Sequence, residues 1–165
     1  MSQANVRSIS VAVTLCITMM LSTGVSAQQT FRDSIEQAQT LIRGGIREIL
    51  HQELLLTEEE SEVFWPLYDE YTAELAVVSE VYVSVVSEFV DRYQAADLSD
   101  EDADRLLDQS LEIQMTVLKI RQGYLPRFRE ILSGVKVARF YQLENKVRTE
   151  VDAALALAIP LADPR

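Results

Sequence analysis

Cysteine and histidine are almost absent from this sequence, which has one of each among its 165 residues, Cys16 and His51. A single cysteine cannot form a disulfide within the chain, and this pair cannot supply the three or four ligands of the usual zinc or copper sites. The Gly-x-Ser-x-Gly motif, a phosphate-binding glycine loop and a calcium-loop pattern are also missing. We therefore predict a protein that is not an enzyme and has no metal or cofactor.

Glycine and proline are scarce as well, with five and four residues respectively. Strands need turns, and turns rely largely on these two residues, so few strands are expected. Apolar residues recur instead at helical spacing. The pattern predicts an all-α protein with four helices, over residues 31–52, 58–94, 100–132 and 135–159. A break is expected at Gly44-Gly45, and kinks are expected at Pro66 and Pro126.

The first 27 residues differ from the rest of the chain. Arg7 is their only charged residue, Ile9 to Leu21 is a run of thirteen uncharged and mostly apolar residues, and Val25-Ser26-Ala27 has the small residues of a cleavage site. This pattern is typical of a secretory signal peptide and is too short for a membrane-spanning helix. We predict cleavage after Ala27 and a periplasmic protein, assuming a bacterial source; the alternative is an uncleaved N-terminal anchor. A single helical domain over 28–159 and a mobile tail over 160–165 would remain, with no membrane-spanning segment.

Charge is distributed unevenly along the predicted mature chain. Residues 57–112 carry a net charge of −15, and residues 113–148 carry +6. One interpretation is mutual neutralisation between packed antiparallel helices, and the other is a basic surface for an anionic partner. Nucleic acid is not an expected partner, because the chain is predicted to be exported and is acidic overall.

The two long helices carry start signals and heptad-like apolar patterns. Thr57 and Glu60 have the spacing of a capping box, and Ser99 precedes three acidic residues. Apolar residues in the second helix recur in steps of four and three, which is typical of a coiled-coil seam. The apolar face predicted for the third helix contains Leu107, Leu111, Gln114, Leu118, Arg121, Leu125, Phe128 and Leu132.

An aromatic cluster occupies two turns of the second helix, at Phe64, Trp65, Tyr68 and Tyr71. Two interpretations are open: core packing against the third and fourth helices, or an exposed platform for unfolded proteins or a dimer partner. Phe128 and Phe140 are expected to face the same cluster. The candidate binding surface consists of these four aromatic residues together with Arg121, Arg127, Arg129 and Arg139.

Two helix starts carry a family resemblance. The segment Leu56-Thr57-Glu58-Glu59-Glu60 resembles the Leu-Thr-x-x-Gln motif of the Spy/CpxP family of bacterial periplasmic proteins, with Glu60 in place of glutamine. Leu132 and Ser133 stand where that family repeats the motif. The stretches 64–71, 124–128 and 139–146 resemble a branch of the same family, and the resemblance covers roughly residues 31–158.

The resemblance implies an all-α subunit with a long bent helical hairpin that pairs into a thin, curved homodimer. It further implies ATP-independent chaperoning of unfolded or envelope proteins, or regulation of an envelope-stress sensor protein. We therefore expect a non-enzymatic envelope-stress protein. One alternative is a structural module that docks on a membrane sensor or associates with itself. Another is a heavy-metal-responsive protein that uses carboxylates alone.

Overall fold

The structure is a computed structural model that describes residues 45–163 of the chain. These residues form four helices and no strand: α1, which is helical over 45–53, α2 (Glu58–Gln94), α3 (Asp100–Ile131) and α4 (Gly134–Ala158). The all-α prediction is confirmed, and α2 has the predicted bounds. The predicted signal peptide, the break at Gly44-Gly45 and most of the helix predicted over 31–52 lie outside the described residues. None of the described helices is long and apolar enough to cross a membrane.

Contacts divide the chain into two compact units. The first unit contains, of the described residues, 45–55 and 139–163, and the second contains Leu56–Ala138. Each has its own buried apolar residues. Those of the first unit are Ile49, Leu50, Leu54, Phe140, Leu143 and Val147. The single domain over 28–159 stays a prediction.

The second unit contains a helical hairpin in which α2 packs against α3. The heptad seam predicted for α2 is confirmed, because Phe64, Tyr68, Tyr71 and Val85 are buried. Farther along the hairpin, Val85 packs with Leu106 and Ile113 of α3, and four half-buried residues surround this group: Val78, Tyr82, Phe89 and Leu98.

The face predicted for the first half of α3 is wrong. Leu107, Leu111 and Leu118 are 58%, 50% and 56% exposed, whereas Leu106, Ile113, Tyr124 and Phe128 are buried. The two rows lie on different sides of the helix, because Leu106 and Leu107 are separated by about 100°. Phe128 and Leu132 are buried as predicted.

Side-chain caps fix the starts of both hairpin helices. The Thr57 hydroxyl accepts from the Glu60 N–H at 3.2 Å, and the Glu60 carboxylate accepts from the Thr57 N–H at 2.8 Å, which confirms the capping box. The Ser99 hydroxyl accepts from the Asp102 N–H at 3.1 Å. Both helices continue through their prolines, Pro66 and Pro126, which are exposed.

The end of α2 is closed by a turn that normally favours glycine. The N–H groups of Ala96 and Asp97 donate to the carbonyl groups of Tyr93 and Arg92, at 3.1 Å and 2.9 Å. This is the Schellman pattern, and it places Ala96 at a φ of 53°. A side chain at that φ is strained, because its Cβ comes too close to the backbone.

Replacement of Ala96 by glycine should therefore stabilise the protein. The gain in the free energy of unfolding should be about 0.5–1 kcal/mol, because relief of strain exceeds the added flexibility of the unfolded chain. Ala95→Gly is the matched control, since Ala95 has an ordinary helical φ of −74° and gains nothing from glycine. Urea denaturation of the three proteins measures the difference, and equal loss of stability in both variants would contradict the strained turn.

Candidate functional site

Six aromatic rings pack together where the first part of α2 meets the last part of α3. The ring of Phe64 lies 5.8 Å from those of Tyr68 and Phe128, and the Tyr71 ring lies 5.2 Å from Tyr124 and 5.8 Å from Phe128. Trp65 contacts Phe64 edge-on at 5.0 Å. Most of these pairs are tilted or edge-to-face, arrangements that the charge distribution of aromatic rings favours.

This aromatic cluster (Phe64, Trp65, Tyr68, Tyr71, Tyr124 and Phe128) is core and not an exposed platform. Phe64 and Tyr71 are completely buried and Tyr68 is 4% exposed, so the candidate binding surface is wrong for these three residues. The physical reason is that α3 supplies two further aromatic rings that cover them. Trp65 is half-buried. Phe128 joins the cluster as predicted. Phe140 belongs to the other compact unit, where its ring lies 5.0 Å from Tyr141, so its place beside the cluster stays a prediction.

Polar contacts border the cluster on one side of the hairpin. The Tyr124 hydroxyl donates to the Glu74 carboxylate at 2.8 Å, and the Arg127 guanidinium donates to Glu70 at 2.6 Å while it lies 4.9 Å from the centre of the Tyr124 ring. Burial, followed by the bond to Glu74, raises the pKa of Tyr124. The bond to Glu70 raises the pKa of Arg127. Both contacts tie α3 to α2.

The three candidate arginines of α3 do not lie on one side of that helix. Along α3, Arg127 and Arg129 are separated from Arg121 by about 120° and 80° around the helix axis, in opposite directions. Arg139 belongs to the other unit, where its guanidinium donates to the carboxylate of Glu53 at 2.6 Å. The bond between Arg127 and Glu70, and another between Lys136 and Glu60, join the basic stretch to the acidic helix. Within the second unit these two pairs support the neutralisation interpretation.

Both copies of the motif lie at helix starts. Thr57 and Glu60 form the capping box of α2, and the Glu60 carboxylate also accepts from the Lys136 ammonium group. The bond to Lys136, followed by that to the Thr57 backbone, lowers the pKa of Glu60. At the second copy, the Ser133 hydroxyl accepts from the Lys136 N–H at 3.4 Å, and Leu132 is buried. Leu56 is half-buried. The motif residues therefore start and join helices.

A charged network closes the tip of the hairpin, and sequence reasoning did not identify it. Arg105 of α3 donates to Glu88 of α2 at 2.6 Å, and Arg92 of α2 donates to Asp102 of α3 at 3.0 Å. Arg92 also donates to Glu88, and Arg105 to Asp102. The bond to Arg105, followed by that to Arg92, lowers the pKa of Glu88. The bond to Ser99, followed by that to Arg105, lowers the pKa of Asp102. The only sequence signal for this network is that each helix has an arginine among acids.

The exposed apolar row of α3 is the feature that best suits binding. Leu107, Leu111, Met115 and Leu118 are each at least 50% exposed, and their spacing places them within about 80° around the helix. Sequence reasoning found three of these residues but assigned them to the core, since periodicity cannot decide which of two apolar rows faces a neighbour. We call this row, with the heptad positions that continue it (Asp104, Gln114, Arg121 and Leu125), the α3 seam.

Features that suit small-molecule or metal chemistry are few in the part of the chain that the structure describes. An open groove of about 430 Å³ is lined by Glu74, Lys119, Ile120, Gly123, Tyr124 and Arg127. Within it, the Glu74 carboxylate accepts from Tyr124, and Arg127 donates to Glu70. Among residues 45–163, no group of three or more His, Cys, Asp or Glu side chains could hold a metal ion. The candidate functional site is therefore the α3 seam.

Introduction of a charge into the aromatic cluster should destabilise the hairpin. Tyr71→Asp should lower the free energy of unfolding by about 3 kcal/mol or more, because a carboxylate would replace a fully buried ring. The matched control is Val77→Asp on the same helix, which is 63% exposed and should shift stability by no more than about 0.5 kcal/mol. Thermal unfolding followed by circular dichroism separates the two, and equal melting temperatures would contradict burial of Tyr71.

The charged network at the tip should make stability depend on pH in the acid range. Because the pKa of Glu88 is lowered by folding, its contribution is complete above the usual value of 4.5 and is lost as pH falls through the lowered value. The unfolding midpoint in urea should therefore fall on acidification below that pH. Glu88→Gln should be less stable near neutral pH and should show a shallower fall, whereas Glu80→Gln, at an exposed position of α2, should keep the slope of the parent chain. Parallel curves for the parent and Glu88→Gln would contradict this origin.

Comparisons with known proteins leave the resemblance to the Spy/CpxP family as a prediction. The chain was compared with protein-family models, with curated proteins and with solved structures, and none of them matches it.

Proposed function

We propose that this protein is a non-catalytic binding protein of the bacterial envelope that holds apolar segments of unfolded or envelope proteins without ATP. The observation that carries the proposal is the α3 seam, where four large apolar side chains are at least half exposed along one side of a helix. An exposed apolar patch with a polar border commonly marks a protein-binding site. The predicted signal peptide supports an envelope location.

The surroundings of the seam suit reversible capture of a polypeptide. Asp104 and Asp108 lie near its beginning and Arg121 lies near its end, so a bound segment meets charges of both signs. Apolar burial would supply most of the affinity, and the charges would orient and select the segment. The helix is held by the aromatic cluster and the tip network, so the surface is preformed and little ordering is needed on binding.

A second candidate is a module that docks on one helical partner, such as a membrane sensor or another copy of the chain. The observation that favours it is the strict alternation of three- and four-residue steps in the seam, from Asp104 to Leu125. Unfolded clients do not require such regularity, whereas a partner helix does. A regulator of an envelope-stress sensor would fit this candidate.

Removal of apolar side chains from the seam should abolish protection of an unfolded client. We expect the parent chain to suppress aggregation of a reduced, unfolded model protein without ATP, measured by light scattering. The double variant Leu111→Gln with Leu118→Gln should lose this effect and keep its fold, because both side chains are at least half exposed and glutamine is a good helix former.

The matched control is Val77→Gln with Val81→Gln, which removes two similarly exposed apolar side chains from α2. This control should protect the client as well as the parent chain does. Equal loss in both double variants would show that protection depends on general apolar exposure. No protection by the parent chain at stoichiometric excess would reject the chaperone proposal.

A further inference from the structure

We propose that the α3 seam selects cationic clients, which are polypeptide segments in which lysine or arginine residues accompany apolar residues. This inference rests on the proposed function and names the chemistry of the bound segment. The observation that carries it is a line of exposed carboxylates beside the apolar row of α3. We call this line the acidic border, and its residues are Glu101, Asp104, Asp108 and Glu112.

The acidic border follows the apolar row on the side away from the hairpin core. Measured around the helix axis from Leu107, the four carboxylates lie at about 60–140° in the direction of Met115. The buried Leu106 lies about 100° from Leu107 in the opposite direction. A segment seated on the apolar row can therefore reach the acidic border without displacing any residue of the core.

The other side of the apolar row carries no charge over the same turns. The residues there are Ala103, Ser110 and Gln114. The acidic border itself extends over about 16 Å and ends before Lys119, which lies on the same side seven residues after Glu112. The basic residues of a bound segment should therefore lie along one of its edges, next to the first half of α3.

The charge of the acidic border is not neutralised within the described part of the chain. Other carboxylates of the second unit have basic partners: Glu60 pairs with Lys136, Glu70 pairs with Arg127, and those of the tip network pair with arginines. Among residues 45–163, in contrast, no side chain of the acidic border forms an ion pair or a hydrogen bond. The hairpin thus uses its basic residues elsewhere and leaves this charge to a partner.

Four like charges along one edge of an apolar row favour a cationic partner. A basic segment relieves their mutual repulsion, whereas an acidic segment or an anionic lipid surface adds to it. Each exposed ion pair contributes little, so the preference depends on several pairs that act together. Apolar burial would supply affinity for either kind of segment, and the acidic border would supply the choice between them.

A matched pair of synthetic peptides tests this selection. Both peptides carry the same leucines in steps of three and four residues, and the remaining charged positions are lysines in one peptide and glutamates in the other. Fluorescence anisotropy of the labelled peptides measures their dissociation constants. At low ionic strength the parent chain should bind the lysine peptide about tenfold more tightly than the glutamate peptide, and added salt should reduce this ratio.

Neutralisation of two border residues should weaken the preference. Asp104→Asn with Asp108→Asn should lower the ratio to about threefold, because half of the border charges are removed. The matched control is Glu62→Gln with Glu80→Gln, which makes the same change in net charge at two exposed positions of α2. It should keep the ratio within about twofold of the parent value. Circular dichroism melts check that each variant is folded, and equal reduction by both double variants would overturn the role of the acidic border.

The variant Leu111→Gln with Leu118→Gln distinguishes failure of this inference from failure of the proposed function. It should lose binding of the lysine peptide. If both peptides bind the parent chain equally well and both are lost in this variant, charge selection is overturned and the proposed function stands. If the lysine peptide binds the variant as well as the parent chain, it is held elsewhere and the inference is overturned. If neither peptide binds and no client is protected, both are overturned.

Sedimentation velocity under the same conditions tests a second copy of the chain as the occupant. The parent chain should remain able to bind the lysine peptide at every concentration examined. A dimer that excludes the peptide and is lost in Leu111→Gln with Leu118→Gln would overturn the inference.

Discussion

The rotation of α3 about its own axis is the constraint on which the rest of this protein depends. Two sets of contacts, one at each end of the hairpin, set that rotation. Near the start of α2, its residues Phe64 and Tyr71 pack against Tyr124 and Phe128 of α3. At the tip, Arg105 bonds to Glu88. Together they place Leu106 and Ile113 in the core and leave the Leu107 row in solvent.

Apolar burial supplies the main driving force for this arrangement, and the charged contacts determine the register of α3 against α2. The aromatic rings bury large areas and have preferred mutual orientations, so they define which side of each helix faces the other. The surface ion pairs contribute little stability individually, since exposed pairs are screened by water. Their value lies in geometry: the pairs between α2 and α3 are satisfied in one register of the hairpin.

The exposed seam has a physical cost that function can explain. Three leucines and a methionine in solvent lose the hydrophobic stabilisation that burial would give, and the hairpin core is complete without them. Acidic residues border this row in the first half of α3, and surface charge of one sign generally counteracts non-specific association. The binding role that we propose would account for both the apolar row and its heptad spacing.

The sequence by itself determined the secondary structure and the helix starts. Thr57, Glu60 and Ser99 are local signals, because a cap depends on residues only three positions apart. The buried side of α2 was also predicted from its heptad pattern, since this helix has one strong apolar stripe.

Only the tertiary structure decided which residues of α3 are core. Leu106 and Leu107 are adjacent in sequence, and each belongs to a row with regular spacing, so no local rule selects between them. Selection came from contacts between residues far apart in sequence, such as Tyr71 with Tyr124 and Glu88 with Arg105. The same contacts buried the aromatic cluster that the sequence left open as core or surface. Periodicity places a residue on a helix face, but packing with a distant partner decides whether that face is covered.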